Sequence, residues 1–179
     1  MIKRILQFYR AITARLSAED IQQIKKHLPP AAQKLFFAMH LADQYHTFNV
    51  YKTAIALYEK MPAIEQAHVD YKLLLRAALL HDIGRRNGDL NIVGKVATVL
   101  LTSFMPNFSK KIATPKVRGI LARPSYWLYI YYNHPMIGAA KLKAIGMVSE
   151  AEIVAKHHNA AEETDSIELK ILKIADEQN

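Results

Sequence analysis

Apolar residues recur at helical spacing through the first third of the chain. Residues 2–16 place an apolar stripe beside basic side chains, which predicts an amphipathic helix. Ser17, followed closely by two acidic residues, is a favourable start for a second helix, which the prolines at 29 and 30 end. The pattern is helical again over residues 31–60. This part of the chain is therefore predicted to consist of helices joined by short turns.

The rest of the chain continues the helical pattern with one irregular interval. A strongly apolar helix is predicted from near Val69 to Gly84, a glycine of the kind that often ends a helix, and a turn follows at residues 87–89. Prolines break residues 90–130 into short pieces, and the aromatic stretch YWLYIYY near their end is interpreted as helix. The last predicted elements are a short helix capped by Ser149 and a final helix over residues 167–176, capped by Asp165 or Ser166.

These elements predict an all-α protein with a single core. A chain of 179 residues is long enough to bury one core and has the usual size of one domain. We expect residues 1–30 to form an N-terminal helical extension and residues 31–179 to form the main domain. Residues 90–130 are expected to be an insertion into that domain.

The composition excludes several kinds of site. Because the chain has no cysteine, disulfides, thiolate metal sites and a cysteine nucleophile are excluded, and any metal must be held by nitrogen and oxygen. No apolar run approaches the ~20 residues that span a bilayer. The N-terminus lacks the apolar core and the cleavage site of a signal peptide, which favours a cytoplasmic location.

Positive charge is concentrated in one interval. The net charge is +8, and between Ile83 and Ser125 eight basic residues stand against a single acid, Asp89. Such a field favours anionic ligands, phosphates above all. One alternative is a solvated basic face without a ligand. Another is nucleic-acid binding, which is disfavoured because no groove-reading motif is present. The helix of residues 2–16 adds peripheral contact with an anionic membrane surface as a further alternative.

The histidines carry the most specific signal. The pair His81–Asp82 follows apolar residues that predict deep burial, and a buried imidazole beside a buried carboxylate needs a partner such as a bound cation. His46 lies on the apolar face of its helix, and Asp176 follows a helical apolar series. Each residue alone has a plainer interpretation as a hydrogen-bonded core or capping residue. Together they offer two nitrogens and two carboxylates, which suits a divalent metal.

These four residues resemble the signature of the HD-domain phosphohydrolases, which is a histidine, then His-Asp, then a distant aspartate on successive helices. The matching segments are HTFNVYKTA from His46, AALLHDIG around His81 and Asp82, and KIAD ending at Asp176. The resemblance covers about residues 35–179. It implies a helical bundle of HD-domain type in which these four side chains hold a catalytic divalent metal.

Three further histidines resemble the subset of this superfamily that holds two metals. His134 begins an HPxxGA element, and IVAKHH contains the pair His157 and His158. Carried over, these three histidines hold a second ion, and Asp82 bridges the two ions. The alternative is that His134 starts a helix before a proline and that the HH pair leaves one ring in solvent.

The chain departs from two groups within that subset. It has NAAEETDS where the HD-GYP phosphodiesterases for cyclic dinucleotides carry GYP, which disfavours that substrate. It also resembles the HD-type dinucleoside polyphosphate hydrolases, but has an expanded basic interval between Asp82 and His134. Arg85 stands where many relatives have lysine after HDIG.

The resemblance implies metal-assisted hydrolysis of a phosphorylated small molecule by a metal-activated water, and these groups lead us to expect a nucleotide. Asp82 and Arg85 are the predicted catalytic residues, and Arg85, Arg86 and Lys95 are predicted to bind phosphate oxygens. A histidine-rich site favours one or two ions of iron, manganese, cobalt, nickel or zinc over magnesium. The alternative is a catalytically silent HD domain that binds a nucleotide or a protein partner. The sequence predicts no particular oligomeric state.

Overall fold

Helices make up the regular structure of the chain wherever it is described. The structure is a computed structural model that describes residues 15–86, 88, 92–115 and 122–179, of which residues 92, 93, 95, 96 and 122 are described by their backbone alone. Over these residues the all-α prediction is confirmed. The helices are α1 (Ala18–His27), α2 (Pro30–Phe37), α3 (Leu41–Glu59), α4 (Ala63–Gln66), α5 (Tyr71–Leu80), α6 (Ile92–Phe104), α7 (Pro106–Ile112), α8 (Ala122–Ala144), α9 (Val148–Lys156) and α10 (Ile167–Gln178).

Two predicted elements fall mostly outside the described residues. Of the amphipathic helix predicted over residues 2–16, only the last two positions are described, and they are not helical. Of the predicted turn at residues 87–89, only Gly88 is described, and its φ of 95° is the left-handed conformation that glycine adopts readily.

The helical pattern predicted over residues 31–60 is confirmed, and the chain forms two helices there. α2 ends at Phe37 and α3 begins at Leu41. The ring of His40 accepts a hydrogen bond from the backbone N–H of Ala42, which caps α3. The side-chain amide of Gln44 donates to the carbonyl of Met39 at 2.9 Å and secures the corner. The apolar pattern does not reveal this break, because the residue that caps α3 is a histidine.

The apolar helix α5 lies at the centre of the fold. Asp70 caps its first turn by accepting a hydrogen bond from the N–H of Leu73. The helix packs against α1, α3, α9 and α10, and its last turns bury leucine and alanine side chains completely. The C-terminal end of α5 is therefore brought into the interior of the protein, where any polar residue that follows must find partners.

The predicted role of Gly84 as the glycine that ends this helix was wrong. α5 ends at Leu80, four residues earlier, and Gly84 does not have a positive φ. A Cβ atom at Gly84 would instead overlap the backbone of His134, whose carbonyl and Cα face it. Glycine is required there because α8 crosses this turn at backbone contact distance.

The C-terminal helices complete the surroundings of α5. α8 confirms that the aromatic stretch is helical, and it continues through Pro135 to Ala144. The prediction that Ser149 caps the next helix was wrong, since α9 begins at Val148 after Met147. Ser166 caps α10 as predicted, by accepting from the N–H of Leu169. No helix within the described ranges is both long enough and apolar enough to cross a membrane.

Candidate metal centre

His81 and Asp82 lie in the turn that follows α5, and each is only 1% exposed. The ring of His81 is fixed by a hydrogen bond between its Nδ1 and the carbonyl of Ala78, at 2.9 Å. A carbonyl can only accept, so Nδ1 carries the proton and Nε2 presents a lone pair. The carbonyl is available because it belongs to the last turn of α5, where helical N–H partners are missing. The helix end thus selects the tautomer that can bind a metal.

His157 repeats this arrangement at the end of α9. Its Nδ1 donates to the carbonyl of Val154 at 2.7 Å, again in the last turn of a helix. The residue is 4% exposed. Its ring centroid lies 5.1 Å from that of His81. Two helices therefore end side by side, and each ends with an imidazole whose Nε2 carries no proton and presents a lone pair.

His134 achieves the same tautomer in the middle of a helix. Its Nδ1 donates to the carbonyl of Tyr131 at 2.8 Å. In an uninterrupted helix that carbonyl would accept from the N–H of residue 135, but Pro135 has no N–H. The proline thereby frees the acceptor that orients the histidine. The alternative that His134 starts a helix is wrong, since α8 begins twelve residues earlier at Ala122.

Burial and neighbouring groups lower the pKa of His134, His157 and His158, which favours their neutral form. Burial lowers the pKa of His157 well below its ordinary value, and the nearby rings of His81 and His158 lower it further. Burial, followed by the charge of Arg85, lowers the pKa of His134. Burial is also the main reason that the pKa of His158 falls to about 4. Neutral imidazole is the form that binds a metal.

The first group of candidate ligands joins α3, α5 and α10. Nε2 of His46 lies 3.0 Å from Oδ1 of Asp176, and Nε2 of His81 lies 3.7 Å from the same oxygen. Burial acts to lower the pKa of His46, but the hydrogen bond to Asp176 and the charge of Asp82 raise it overall. Residues that are far apart in the chain thus converge on one point, with ligand atoms close enough to share a metal ion.

The second group joins α5, α8 and α9. It consists of Asp82, His134, His157 and His158, whose candidate ligand atoms lie within 4.8 Å of one another. The ring of His158 packs 4.9 Å from that of His134 and 4.1 Å from that of His157, although the residue as a whole is exposed. The exposed edge gives this group a side open to solvent.

Asp82 lies between the two groups. One of its carboxylate oxygens is 3.9 Å from Nε2 of His81, and the other is 3.1 Å from Nε2 of His134. Burial alone would raise the pKa of Asp82, but the charge of Arg85 and the contacts with His81 and His134 hold it well below its ordinary value. The carboxylate is therefore ionised and has one oxygen turned toward each group.

The donor atoms fit a divalent metal. Nε2 of His81, Nε2 of His157 and Oδ1 of Asp82 are buried without a hydrogen-bond partner among the described residues. Nε2 of His134 and Oδ1 of Asp82 are 3.1 Å apart, and both present lone pairs. Two ligands that each bind one metal at about 2.1 Å lie roughly 3 Å apart. A cation between these atoms resolves an arrangement that is otherwise unfavourable.

Arg85 lies inside this cluster, together with a residue that the sequence argument missed. Nη1 of Arg85 donates to Asp82 at 2.7 Å and lies 3.9 Å from Asp43, the residue that was missed. Asp43 is 6% exposed and precedes His46 by three residues on α3, so the two share a helix face. That spacing is the sequence signal that could have identified Asp43. Arg86 is exposed, and the side chain of Lys95 lies outside the described part of the structure.

A second residue that the sequence argument missed is Lys141 on α8. Its ammonium donates to the carbonyl of Ile83 at 2.7 Å and lies 3.4 Å from the carbonyl of Gly84. These carbonyls belong to the turn that carries His81 and Asp82. Lys141 therefore links the turn to α8 by hydrogen bonds. No local sequence motif predicts that a lysine will bond backbone atoms so far away in the chain.

A cavity of about 410 Å³ opens beside the ligand cluster. His158 and Asp176 contribute to its wall, and Lys170 and Lys173 of α10 add positive charge. Lys173 is held by an ion pair of 2.6 Å with Asp165. The cavity connects the open side of the candidate metal centre to a surface of α10 that carries these two lysines and Glu177, and the sequence alone did not associate this surface with the site.

Comparison with known families agrees with this geometry. Residues 44–114 match the family model of the HD domain. The match contains His46, His81 and Asp82, whereas the other candidate ligands follow it in the chain. No curated protein and no solved structure matches the chain. The HD-domain match and the all-helical fold support membership of the HD-domain superfamily, whose members are generally metal-dependent hydrolases.

Proposed function

We propose that this protein is a metal-dependent phosphohydrolase that cleaves a phosphate ester or anhydride of a nucleotide with a metal-held water. The observation that carries the proposal is the set of buried acceptor atoms without partners on His81, Asp82 and His157. A buried polar atom left without a partner costs about 1–3 kcal/mol. A protein that maintains three such atoms side by side is expected to use them, and a divalent cation is the partner that fits.

The ligands divide between two ions in this proposal. Asp82 contributes to both, because its two oxygens face different groups. A bound divalent transition metal lowers the pKa of a water molecule and polarises phosphoryl oxygens. Iron, manganese, cobalt, nickel and zinc suit the nitrogen-rich donor set. The first ion is held by His46, His81, Asp82 and Asp176, and the second by Asp82, His134, His157 and His158.

The remaining residues orient the reactants. Hydrogen bonds from Nδ1 hold three imidazoles with Nε2 directed inward, so little reorganisation is needed when phosphate arrives. Arg85 is placed to bind a phosphoryl oxygen beside Asp82, since a guanidinium matches phosphate geometry. Arg86 and Lys95 are proposed to extend this positive surface toward further phosphates.

The cavity supports a nucleotide-sized substrate. A volume of about 410 Å³ lies within the range of roughly 300–1,000 Å³ typical of small-molecule sites. The ammonium of Lys170 reaches the carbonyl of Glu163 and is otherwise exposed on the cavity wall, where it can meet a second phosphate. A substrate with several phosphates would place one beside the ligand groups and another in the cavity near Lys170.

The proposal is tested with protein purified without a metal-affinity tag. Elemental analysis gives the metal content, and the stripped protein is then assayed with each candidate metal against nucleotides and dinucleoside polyphosphates. We expect one or two metals per chain and metal-dependent phosphate release. Asp82→Ala and His81→Ala are expected to abolish release, whereas His68→Ala, a matched change at an exposed histidine, is expected to have no effect.

Two outcomes would refute parts of the proposal. Full activity in Asp82→Ala would exclude the assigned centre. Tight nucleotide binding without turnover in the metal-loaded protein would favour a silent binding domain instead. Circular dichroism of each variant separates loss of chemistry from loss of fold.

A further inference from the structure

The guanidinium of Arg85 already bonds two residues of the second ligand group, Asp82 and His134. Nη1 donates to Oδ2 of Asp82 at 2.7 Å, and Nη2 lies 3.2 Å from Nε2 of His134. Since Nδ1 of His134 carries the ring proton, the second contact is a hydrogen bond donated by Arg85 to the Nε2 lone pair. Of these two atoms, Nε2 of His134 is needed by a second metal ion alone, whereas Oδ2 of Asp82 is the oxygen turned toward His81 and the first group.

We infer that Arg85 is an internal competitor for the second metal ion, so that the protein holds one ion firmly and admits the second only when the guanidinium withdraws. This inference rests on the proposed function. The lone pair of His134 cannot serve Arg85 and a metal at the same time. A guanidinium in hydrogen-bond contact with Asp82 also repels a nearby divalent cation. The second ion is affected more than the first because Nε2 of His134 has a single lone pair, which Arg85 occupies, whereas Oδ2 of Asp82 has a further lone pair left for the first ion.

Asp43 provides an alternative partner for the guanidinium. Its carboxylate is 6% exposed and lies 3.9 Å from Nη1 of Arg85. A rotation of the Arg85 side chain toward Asp43 retains one ion pair while it releases Asp82 and His134. Such a pair of partners makes the occupancy of the second position adjustable, and an incoming phosphate group is a further anion that could draw the guanidinium away.

The test is a titration of metal-free full-length protein with manganese, followed by equilibrium dialysis and elemental analysis. In the wild type we expect one tight ion and a second that binds at least about tenfold more weakly. Arg85→Met is expected to strengthen the second binding step about tenfold or more and to change the first step less. Arg15→Met, at an exposed arginine outside both ligand groups, is the matched control and should leave both steps unchanged. Asp43→Asn should weaken the second step, because it removes the alternative partner.

The variants distinguish the inference from the proposed function. Two equally tight ions in the wild type, unaltered by Arg85→Met or Asp43→Asn, would overturn the competition while the hydrolase proposal stands. If no variant and no wild-type sample binds a metal, the proposed function itself fails. Should Arg85→Met not fold, Arg85→Lys keeps the charge but replaces the two nitrogens that contact Asp82 and His134 with one nitrogen on a shorter side chain, and a stronger second step than in wild type is expected.

A separate observation concerns the corner between α6 and α7, formed by residues 99–111. Four large apolar side chains there are about half exposed or more: Leu100 at 49%, Phe104 at 79%, Met105 at 50% and Phe108 at 48%. Side chains from 103 to 108 are all exposed. A cluster of exposed phenylalanine, leucine and methionine side chains usually marks an interaction surface.

The charge at this corner indicates what the surface meets. Lys110 and Lys111 are exposed on α7 directly after the apolar cluster. The corner also lies within the interval from Ile83 to Ser125, where eight basic residues stand against one acid. A second copy of this chain would bring the same positive charge to the contact, which disfavours self-association. Apolar side chains ringed by lysines match the surface of an anionic lipid bilayer.

We propose that the α6–α7 corner docks on anionic membranes. In a sedimentation assay, the full chain should pellet with vesicles of equimolar phosphatidylcholine and phosphatidylglycerol. Much less of it should pellet with vesicles of phosphatidylcholine alone. Replacing both Lys110 and Lys111 with glutamine should weaken binding roughly thirtyfold, at about fivefold for each charge removed. Phe104→Ser should also weaken it, whereas Ile64→Ser, at an exposed apolar position in α4, should not.

Three results would overturn this second proposal. These are equal retention by both kinds of vesicle, undiminished binding by the corner variants, and absence of binding to either vesicle. In the second case the basic N-terminal segment would account for the binding. In the third case, a concentration-dependent dimer seen by analytical ultracentrifugation and lost in Phe104→Ser would assign the corner to self-association instead.

Discussion

Gly84 is the position where the turn that carries His81 and Asp82 touches α8, and Gly84→Ala tests that contact directly. An added Cβ would overlap the carbonyl of His134 and would lie 2.7 Å from its Cα, whereas ordinary contact begins near 3.4 Å. The turn and α8 must therefore separate by at least about 0.7 Å, the difference between these two distances. Because the obstructing atoms are backbone, no side-chain rotation can relieve the overlap.

The size of the effect follows from that shift. Forcing extra atoms into a packed interior costs about 1–3 kcal/mol. The gain from restricting the unfolded chain is only about 0.4–1 kcal/mol, since Gly84 has an ordinary φ. We expect the free energy of unfolding to fall by about 2 kcal/mol. A displacement of this size also exceeds the ~0.5 Å tolerance of a functional site, so metal affinity at His134 should fall about tenfold or more.

Urea denaturation followed by circular dichroism measures the stability, and calorimetric titration with manganese measures the metal affinity. Gly146→Ala is the matched control, because its Cβ would enter open space while its φ of 80° adds only a local strain. That control should lose about 1 kcal/mol of stability and no metal affinity. If Gly84→Ala equals wild type in both measurements, α8 does not approach the turn as closely as argued here.

Three further predictions concern protons, a proline and a lysine. The metal-free protein should lose stability as pH falls from about 7 toward 4. In the folded protein the pKa values of His157 and His158 lie below 6.5, so over this range the unfolded chain takes up protons that the folded chain does not. Urea midpoints that stay constant over this range would contradict this. Pro135→Ala restores a backbone N–H that competes with Nδ1 of His134 for the carbonyl of Tyr131. Manganese affinity should therefore fall about tenfold, while the unfolding midpoint should not fall. Unchanged affinity would refute the role of the proline. Lys141→Met should lower the free energy of unfolding by about 1–3 kcal/mol, because the carbonyls of Ile83 and Gly84 lose a charged donor. Lys143→Met, at an exposed position, should not lower it. Equal denaturation curves for the two variants would contradict this.

Much of the helical fold was predictable because burial leaves a periodic trace in the sequence. The strongly apolar α5 and the capped α10 were predicted within a few residues of their observed bounds. The break between α2 and α3 was not, because it depends on the ring of His40 and the side-chain amide of Gln44 binding backbone atoms. Helix boundaries set by unusual side-chain caps have no signature in an apolar pattern.

The site divides in the same way. Seven histidine and aspartate residues were predicted as ligands from their order in the chain, and the structure brings all seven into two adjoining groups. Their role as metal ligands stays a prediction. The bonds of Arg85 to His134 and of Lys141 to the turn were not predictable, because they depend on how α8 crosses α5. Contacts between distant segments depend on packing geometry, which local residue order does not encode.

One local rule does connect sequence to chemistry at this site. An imidazole that is to bind a metal through Nε2 needs an acceptor for its Nδ1–H, and the nearest one is the carbonyl three residues earlier. In a continuous helix that carbonyl is already used, so a histidine that is oriented in this way stands where the hydrogen-bond ladder is interrupted. His81 and His157 stand at helix ends, and His134 stands before Pro135. The dipeptides HD, HH and HP in this chain therefore share a physical cause. Each places a histidine just after a carbonyl that the helix has released, and that carbonyl fixes the ring with its lone pair toward the interior.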